Sequence, residues 1–376
     1  MRSDAPFSGM AQNGGRCRSE DLEAFACRVL VALGADDDIA REVAGHLILA
    51  NLSGHDSHGV MQLLRYAAEV ESGQLHPELR PFLEREADVV AVVDGRRGFG
   101  HYSTRFALDW CVDRARTRGL AVAAVRHSMH IGRLGHYVER AAAQGMVAIV
   151  TVGSAGPDGG FVAPFGGIGR FLGTNPWAIG FPAHGRAPMI FDAATSSIAE
   201  GKVRMALDKK LSVPVGTVRD SDGVPTADPS KLYEGGSLTG LGGDVAGHKG
   251  YGFALAAALL GGLAMIDDPE PTPAGTAFSP PHWHGRIAGV VVLTLNPGWF
   301  GNPEQYSILV ANVLSAANSV PAAEGRDRVL VPGEPELLMR EQRSTEGIAI
   351  PKRTWKELEE LAQRFHLALP DPLSEE

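Results

Sequence analysis

LAVAAVRHSMHIGRLGHYVERAAAQGMVAIVTV (120–152) contains two apolar runs, LAVAAVR (120–126) and MVAIVTV (146–152), on either side of a helical segment. Short apolar runs rich in Val and Ala between turn signals are typical of buried β-strands. VVAVVDG (89–95) is a similar run upstream, and it precedes a helical pattern over residues 104–118. Buried strands that alternate with helices predict an α/β domain with a covered sheet.

Helical periodicity marks both ends of the chain. Leu22, Phe25 and Val29 recur at helical spacing, and two more helices are expected from Asp37 to about residue 53 and from Ser57 to about residue 72. The charged helix TWKELEELAQRF near the C-terminus is expected to pack back on these helices. We therefore predict three regions: a flexible leader (1–18), a helical lobe (19–80 with 325–376) and an α/β region (81–324).

Within the α/β region, MIFDAATS (189–196) and AGVVVLTLNP (288–297) predict further strands, and residues 251–265 predict a helix of small residues. DDPEPTPAGTAFSPPHWHG (267–285) is a Pro-rich loop, long enough for a lid or a partner contact.

Composition excludes several classes of protein. The 376 residues carry a net charge of -9 without a basic stripe, so the electrostatic footprint of a nucleic-acid-binding protein is missing. No window approaches the ~20 apolar residues that a membrane span requires. The three cysteines are widely spaced, which argues against a disulfide scaffold or a cysteine zinc site and favours the cytoplasm.

The usual dinucleotide fingerprint is missing from the α/β region. A G-x-G-x-x-G after a first strand, with an acidic residue about 20 positions later, does not occur. GGIGRFLG (166–173) is the nearest string, and an ordinary loop explains it best. A nicotinamide cofactor would therefore need a site other than the standard Rossmann one.

The polar junction GHDSHGV (54–60) carries the first candidate residues. Histidine is the side chain best suited to exchange a proton near neutral pH, and at a helix start Ser57 is expected to cap while His58 faces a cleft. A capping histidine without function stays open. A metal shared by His55 and His58 is disfavoured, because no carboxylate or cysteine stands at ligand spacing; no metal site is predicted.

The segment RHSMHIGRLGHY (126–137) places three histidines after a predicted strand. Ligand sites of α/β proteins lie at the carboxyl ends of strands, so His130 is a candidate, although a polar surface loop explains the segment equally well. Asp192 follows three apolar residues and is expected to be partly buried, either orienting a catalytic histidine or capping a following helix. Thr174 and Asn175 offer hydrogen-bonding side chains on a turn before Pro176.

The last candidate is GGDVAGHKGYG (242–252), which places Lys249 among glycines at an expected helix start. Backbone amides, a helix N-terminus and an ammonium group together form a receptor for an anion. Gly250 follows Lys249 where a P-loop requires Ser or Thr, so ATP hydrolysis is disfavoured and a cofactor phosphate stays possible.

Taken together, DSHGV (56–60), the His130 loop, LGTNP (172–176), FDAATS (191–196), GHKGYG (247–252) and the tail from VPGEPE to PKRTWKEL resemble one family. It is the malate/L-lactate dehydrogenase family that is unrelated to the Rossmann lactate dehydrogenases, and it includes ureidoglycolate, sulfolactate and diketogulonate oxidoreductases and piperideine-2-carboxylate reductases. The resemblance implies a non-Rossmann nicotinamide-binding α/β domain, a helical lobe built from both chain ends, and a homodimer.

The resemblance also implies roles for single residues. His58 corresponds to the family's proton donor, and Ser57 and Asp192 correspond to its relay partners. His130 corresponds to the second histidine of the pocket, and Thr174 and Asn175 line the same cleft. The positions that contact the cofactor in family members correspond here to His130, Ser154, Asp192, His248, Lys249, Gly333 and Glu334.

The substrate pocket departs from the family at Gln62, four residues after His58, where members place an arginine that clamps the substrate carboxylate. Glutamine cannot reproduce the bidentate, charge-assisted fork of a guanidinium. Either the substrate lacks that carboxylate, another cation such as Arg133 replaces the arginine, or the activity is altered.

The resemblance and the histidine chemistry predict an oxidoreductase that uses NAD or NADP to transfer a hydride to or from a small polar 2-oxo or 2-hydroxy acid. Two alternatives stay open: a cyclic ketimine reductase, and an inactive relic that binds the cofactor without turnover. The sequence does not decide between NAD and NADP. Partners other than the small-molecule substrate and a second copy of the chain are not expected, neither nucleic acid nor membrane.

Overall fold

The structure is a computed structural model that describes residues 13–156, 160–266 and 289–373. The strands are β1 (Asn13–Cys17), β2 (Phe82–Ala87), β3 (Val90–Asp94), β4 (Leu120–Arg126), β5 (Val147–Gly153), β6 (Trp177–Phe181), β7 (Met189–Ala193), β8 (Val218–Arg219), β9 (Pro225–Thr226), β10 (Ser237–Leu238), β11 (Gly289–Leu295) and β12 (Ile348–Pro351). The helices are α1 (Ser19–Ala32), α2 (Asp37–Leu52), α3 (Gln62–Glu71), α4 (Gly100–Arg118), α5 (Gly135–Ala142), α6 (Glu200–Asp208), α7 (Ser230–Tyr233), α8 (Gly243–Gly261), α9 (Pro303–Asn318), α10 (Glu334–Glu346) and α11 (Lys352–Phe365).

Seven strands form the central sheet in the order β2-β3-β4-β11-β5-β6-β7. Strands β3 and β4 are parallel, whereas the other neighbouring pairs are antiparallel. Val292 of β11 pairs with Ala123 on one side and with Val150 on the other, so β11 separates β4 from β5. A mixed sheet of this order differs from the all-parallel Rossmann sheet, and the predicted non-Rossmann α/β class is confirmed.

Both faces of the central strands are covered. Val125 and Val292 belong to a core shared with α4 and α5, whereas Ala124 and Val291 pack on the opposite face against Ala264, just after α8. Alternate side chains point to opposite faces of a strand, so strands covered on both sides need apolar residues at nearly every position. This explains the continuous apolar runs from which the strands were predicted.

Strand directions place several loops at one edge of the sheet. The carboxyl ends of β4, β5 and β7 meet there, together with the amino end of β6, because Trp177 at the start of β6 pairs with both Thr151 and Ala193. The segments that carry His130, Ser154, Asn175 and Asp192 therefore all adjoin the same edge.

The helical lobe joins the two ends of the chain in a single core. Leu22 and Val29 of α1 are fully buried together with Ile348 of β12 and Leu358 of α11. The predicted lobe built from both ends is therefore present. A smaller three-stranded sheet, in the order β10-β8-β9, has its own core beside α6 and α7.

The predicted flexible leader is wrong for residues 13–17, which form β1 and pair antiparallel with β12. The strand NGGRC is polar and glycine-rich, and its hydrogen bonds go to a partner more than 300 residues away, so local sequence carries no signal for it. Residues 1–12 and the Pro-rich loop 267–285 lie outside the described residues.

Five predicted strands are confirmed as β3, β4, β5, β7 and β11, but β2 and β6 were not predicted. Strand β2 (FLEREA) is largely exposed at the edge of the sheet, and β6 (WAIGF) is short and follows a proline. Within the described parts of the chain, no helix is long and apolar enough to cross a membrane.

We expect Val29→Ala to lower the free energy of unfolding by roughly 1.5–3 kcal/mol, because its side chain is fully buried in the lobe core. Val31→Ala in the same helix is the matched control, since Val31 is 41% exposed and should lose only a few tenths of a kcal/mol. Urea denaturation of both variants measures the difference. Equal losses would contradict the shared core.

Candidate active site

His58 lies in a short 3-10 turn, Asp56–His58, that precedes α3. The Ser57 hydroxyl and His58 Nδ1 are 3.0 Å apart and hydrogen-bonded. The predicted single helix from Ser57 is wrong, since α3 begins at Gln62 and Ser57 binds the imidazole instead of capping a helix. The Gln62 side-chain amide donates a 2.6 Å hydrogen bond to the Ser57 carbonyl. This donor therefore stabilises the turn and is not directed at a ligand.

Helix α10 holds this turn in place. Arg343 donates two hydrogen bonds to the Asp56 carboxylate at 2.6 and 3.1 Å, and His55 Nε2 lies 3.2 Å from Glu336 Oε1. Arg340 makes a bidentate pair with Glu139 of α5 at 2.6 and 2.8 Å. Helix α10 thus connects the His58 turn to α5, the helix that follows the loop with His130.

His130 lies next to His58. Their rings are stacked at 5.7 Å between centroids, and the Tyr66 hydroxyl lies 2.7 Å from His130 Nδ1. Gly132 follows with φ of +70°, and a Cβ atom there would collide with the imidazoles of His46 and His101. The glycine therefore lets the loop press against these histidines while it presents His130 to His58.

A buried guanidinium lies in the same region. Arg133 is 4% exposed, and its Nε and Nη1 atoms have no hydrogen-bond partner among the described residues. Its nearest charged partners are Asp192 and Glu139, each at 3.7 Å. The Asp192 carboxylate accepts a 2.6 Å hydrogen bond from the Gly135 amide, which begins α5.

Asp192 is partly buried, as predicted, but its neighbours differ from both expectations. Within the described residues it pairs with Arg133 and the Gly135 amide, not with an imidazole, and the helix end that it caps precedes it in the chain. The group that contacts the His58 imidazole directly is Ser57.

Burial and positive neighbours set the protonation of the pair. Burial, followed by His55, Arg133 and Arg65, lowers the pKa of His58 from 6.5 to about 4, and burial also lowers the pKa of His130. Burial raises the pKa of Asp192, and Arg133 opposes that rise. Both imidazoles are therefore neutral at pH 7 in the free protein, with one N–H group and one lone pair each.

The predicted cofactor residues at the sheet edge form a second group. The Asn175 side chain accepts from the Ser154 amide at 3.0 Å and donates to the Ser154 carbonyl at 3.0 Å and the Ala254 carbonyl at 2.8 Å. Asn175 thus fastens α8 to the end of β5. The neighbouring Thr174 carbonyl accepts hydrogen bonds from Thr195, which joins this turn to the segment after β7.

The sequence predicted Lys249 at a helix start, and this prediction is wrong. Helix α8 begins at Gly243, so Lys249 is in its second turn, where the backbone amides are already hydrogen-bonded within the helix. Gly250 in the same helix lies against the Leu241 backbone, so this glycine serves close packing. Lys249 and His248 are both exposed, and the His248 ring lies edge-on to Phe165 at 5.8 Å.

Gly333 and Glu334 stand at the start of α10. Gly333 adopts the left-handed conformation, with φ of +95°. The Glu334 carboxylate accepts hydrogen bonds from the Val331 amide at 2.8 Å and from Asn318 at 2.7 Å, so it joins the start of α10 to the preceding segment and to the end of α9.

Three residues of the site were missed from the sequence: His46, His101 and Tyr66. His46 and His101 lie within 6 Å of other site rings, and Tyr66 bonds His130. Each of them is an imidazole or a phenol among apolar positions of a helix. Burial of an unpaired polar group is costly, so this pattern could have identified them as site residues. Within the described residues, no group of three His, Cys, Asp or Glu side chains has the arrangement needed to hold a metal ion.

Comparison with known proteins agrees with this architecture. The malate/L-lactate dehydrogenase family matches residues 17–359 of the chain. The chain belongs to this family. The recognition of the family from its motifs is thereby confirmed, and the enzyme class of the family is that of a dehydrogenase acting on hydroxy acids.

Several members of the family align with this chain over nearly their full length. Hydroxycarboxylate dehydrogenase B from Escherichia coli O157:H7 is 33% identical over 358 residues, which cover 94% of this chain and 95% of the relative. Delta(1)-pyrroline-2-carboxylate reductase 1 from Burkholderia ambifaria is 30% identical and covers 90% and 95%, respectively. The structure of malate dehydrogenase from Pyrococcus horikoshii is similar with a TM-score of 0.83 at 28% identity, covering 97% and 99%.

We expect the stability of this dehydrogenase family member to fall as pH drops below 6.5. Burial lowers the pKa of His58 and His136 to about 4 and of His101 to about 3. The folded protein therefore binds fewer protons than the unfolded chain, and acid favours unfolding. Each such histidine contributes a loss of about 1.4 kcal/mol per pH unit between pH 6.5 and its folded pKa.

Urea denaturation at several pH values between 7.5 and 5 measures this slope. His101→Phe should reduce the slope by about one proton, with the same change at exposed His184 as the control. A slope that is equal in both variants would show that His101 does not stay neutral in the folded protein.

Proposed function

We propose that the protein is an NAD- or NADP-dependent oxidoreductase that interconverts a small polar 2-oxo acid and the corresponding 2-hydroxy acid. The observation that carries this proposal is the stacked pair His58–His130, with the buried guanidinium of Arg133 among the charges that lower the pKa of His58. The pair offers proton donors and acceptors, and Arg133 offers positive charge for a carboxylate. The activities of the relatives support the same class of reaction.

His58 is proposed to exchange the proton of the reaction. Reduction of a carbonyl by hydride leaves an alkoxide that requires one proton, and oxidation of the alcohol releases one. The Ser57 hydroxyl at His58 Nδ1 fixes the ring so that Nε2 is the nitrogen available to a substrate. His130, stacked on His58, is proposed to contact the same oxygen or to orient the ring.

Arg133 is proposed to replace the missing arginine at position 62. The Gln62 side-chain amide donates to the Ser57 carbonyl, so it does not offer the two parallel N–H groups that bind a carboxylate in a bidentate way. Arg133 is close enough to lower the pKa of His58, and two of its guanidinium nitrogens lack hydrogen-bond partners among the described residues. A substrate carboxylate would compete with Asp192 and Glu139 for this charge.

The exposed face of α8 fits a nicotinamide dinucleotide, which supplies or accepts the hydride when bound. Lys249 is exposed and has no ion-pair partner among the described residues, so its ammonium group is available to a phosphate. His248 offers a further polar group on α8, and Asn175 is proposed to hold Ser154 and α8 in position at the sheet edge. Gly333 and Glu334 are proposed to shape and stabilise the start of α10.

Reduction of a cyclic ketimine is the second candidate. The reductase from Burkholderia ambifaria covers 90% of this chain, and an imidazole donor serves a C=N bond as well as a C=O bond. Both substrate classes carry a carboxylate next to the reacting carbon, so Arg133 would serve either one.

We expect His58→Asn to reduce kcat by about 100-fold or more while the dissociation constant of the cofactor stays within about twofold, because the proton donor is lost but the α8 surface is intact. The measurement is nicotinamide absorbance with a panel of 2-oxo acids, 2-hydroxy acids and cyclic imines, using NAD and NADP in both redox states. His184→Asn is the control for the loss of an exposed histidine.

The panel separates the candidates. Turnover of imines alone would favour the ketimine reductase, and cofactor binding without turnover of any substrate would favour the inactive relic. Undiminished turnover in His58→Asn would remove His58 from the mechanism.

The protein is also proposed to act as a cytoplasmic homodimer. Leu309 and Val313 stand one turn apart on α9 and are both more than half exposed, and Phe253 and Leu259 of α8 are similarly exposed. Apolar side chains that recur on one helix face mark an interaction surface. Three cysteines without disulfide bonds agree with a reducing compartment.

We expect the double variant Leu309→Asp with Val313→Asp to weaken self-association by at least about tenfold, because it places two charges on an apolar contact surface. Sedimentation equilibrium measures the association constant, and Val31→Asp, at an exposed position of α1, is the control. A variant that stays as dimeric as the unchanged protein would exclude this face of α9 from the interface.

A further inference from the structure

Both ends of the segment that carries His58 are bound by one buried side chain. The segment is DSHGV (56–60), and the side chain is that of Asn51, which is 3% exposed and lies in the last turn of α2. Its nitrogen Nδ2 donates a 2.7 Å hydrogen bond to the Asp56 carboxylate, and its oxygen Oδ1 accepts a 2.9 Å hydrogen bond from the Val60 backbone amide. A single carboxamide therefore fastens the chain two residues before and two residues after His58.

The two partners determine how the carboxamide is oriented. A carboxylate accepts hydrogen bonds and a backbone N–H group donates them, so Nδ2 has to face Asp56 and Oδ1 has to face Val60. Rotation of the amide by half a turn would lose both hydrogen bonds. Position 51 therefore requires a side chain that donates at one atom and accepts at the other. Neither leucine nor an ionised aspartate, although similar in shape, does both.

Gly59 provides the space for this side chain. A Cβ atom at Gly59 would lie 2.2–2.4 Å from Oδ1, Cγ and Nδ2 of Asn51, which is a collision with the whole amide group. The Gly59 φ of −92° is negative, so a left-handed backbone conformation is not what requires glycine here. The glycine is required by the close approach of the Asn51 amide.

Asn51 is itself held in a rigid part of the molecule. Leu47 and Ile48, in the preceding turn of α2, are buried in the lobe core, and Val60 belongs to the same core. The Asn51 carbonyl also accepts a hydrogen bond from Arg343 of α10. A supporting group on a packed helix keeps its position better than one on a free loop. Asn51 is therefore a fixed point against which the His58 segment is placed.

The middle of the segment carries the chemistry and depends on its ends. Ser57 and His58 are half-buried, and their side chains are hydrogen-bonded to each other at 3.0 Å. Arg343 binds the Asp56 end, whereas the Asn51 side chain binds both ends. Loss of the Asn51 amide would therefore free the segment at Val60 and weaken its attachment at Asp56.

We propose that Asn51 is a positioning residue for proton transfer by His58. The inference rests on the proposed function. Asn51 acts through the 56–60 segment, which sets the His58 ring 5.7 Å from the His130 ring. Proton transfer requires the reacting groups to be held within about 0.5 Å of their productive geometry, whereas binding tolerates larger displacements. Release of the segment should therefore slow the chemical step more than it weakens binding.

Two substitutions separate the two hydrogen bonds. Asn51→Leu has a similar shape and removes both of them. Asn51→Asp keeps the oxygen that accepts from the Val60 amide and loses the donor for Asp56. Because Asn51→Asp differs from the unchanged protein by one group of the same size, it keeps the test available if Asn51→Leu does not fold.

Asn296→Leu and Asn296→Asp are the matched controls. The Asn296 side chain also accepts from a backbone amide, that of Gly298 at 2.9 Å, and it donates to the Ala115 carbonyl at 3.3 Å. Asn296 follows β11, whose end pairs with the starts of β4 and β5, so it lies at the sheet edge opposite to the site. The controls therefore remove the same groups away from His58.

We expect Asn51→Leu to lower kcat by about 10- to 100-fold, because the proton donor is displaced. KM and the dissociation constant of the cofactor should stay within about twofold, because the groups proposed to bind substrate and cofactor are unchanged. Asn296→Leu should keep kcat. Nicotinamide absorbance measures kcat and KM, fluorescence titration measures cofactor binding, and urea denaturation shows whether each variant is folded.

Asn51→Asp should lose activity relative to the unchanged protein as the pH rises from about 5 to about 8. Its carboxyl group would lie about 2.7 Å from that of Asp56, and two carboxylates this close share a proton. The shared proton makes the hydrogen bond that the amide makes in the unchanged protein. When that proton leaves, the two charges repel each other. The other charged or titratable groups at this place are His55 in the turn and Arg343 and Glu336 on α10.

The ratio of kcat between Asn51→Leu and the unchanged protein should not depend on pH, because leucine has no proton to lose. Asn296→Asp should keep kcat over the same range. A pH dependence in Asn51→Asp that equals the one in Asn296→Asp would contradict the proposal.

A second measurement does not depend on turnover. In protein with 15N-labelled histidine, an NMR titration gives the pKa of His58, and the variant His58→Asn assigns its signals. Burial lowers this pKa to about 4, and we expect it to rise to about 5 or higher in Asn51→Leu, because the released ring meets more water. The pKa of His58 should be unchanged in Asn296→Leu.

Asn51 has a structural role only, and the proposal is wrong, if both Asn51 variants fold and keep the kcat and the His58 pKa of the Asn296 variants. A loss that appears in KM and not in kcat would contradict the proposal as well. A raised His58 pKa in Asn51→Leu, in a protein that turns over none of the substrates, would instead retain the positioning of the ring and reject the proposed function.

Discussion

The ion pair between Arg343 and Asp56 holds the turn that carries His58 against α10. Arg343 donates to both Asp56 oxygens and to the Asn51 carbonyl, while the Asn51 side chain donates to Asp56 at 2.7 Å. The pair is largely buried, so loss of one partner would leave an uncompensated charge beside the His58 turn. Helix α10 is therefore part of the site, although it is more than 280 residues away from the His58 turn in the chain.

The second constraint is the direction of the strands. β11 enters between β4 and β5, so these two strands run parallel without being neighbours, and their carboxyl ends meet at one edge. Antiparallel β6 and β7 then return Asn175 and Asp192 to that same edge. His130 and Asp192 are 62 positions apart and converge because strand direction, rather than sequence distance, decides where each loop lies.

The sequence predicted the elements better than their contacts. Apolar runs identified β3, β4 and β5 because both faces of the sheet are covered, whereas exposed β2 and paired β1 carry no such run. Ser57, His58 and His130 were predicted from their chemistry and do lie together. The partner of Asp192 was not predictable, because Arg133 reaches it only through the packing of α5 on the sheet.

The charges around His58 connect substrate binding to acid catalysis. With a pKa of about 4, the free imidazole carries a proton in only a small fraction of molecules at neutral pH. A carboxylate bound at Arg133 would offset one of the charges that lowers this pKa, and so stabilise the imidazolium form. An arginine at position 62 would add a further positive charge beside the same ring, whereas Gln62 binds the Ser57 carbonyl and adds none. Gln62 therefore disfavours the imidazolium form of His58 less than an arginine at the same position would.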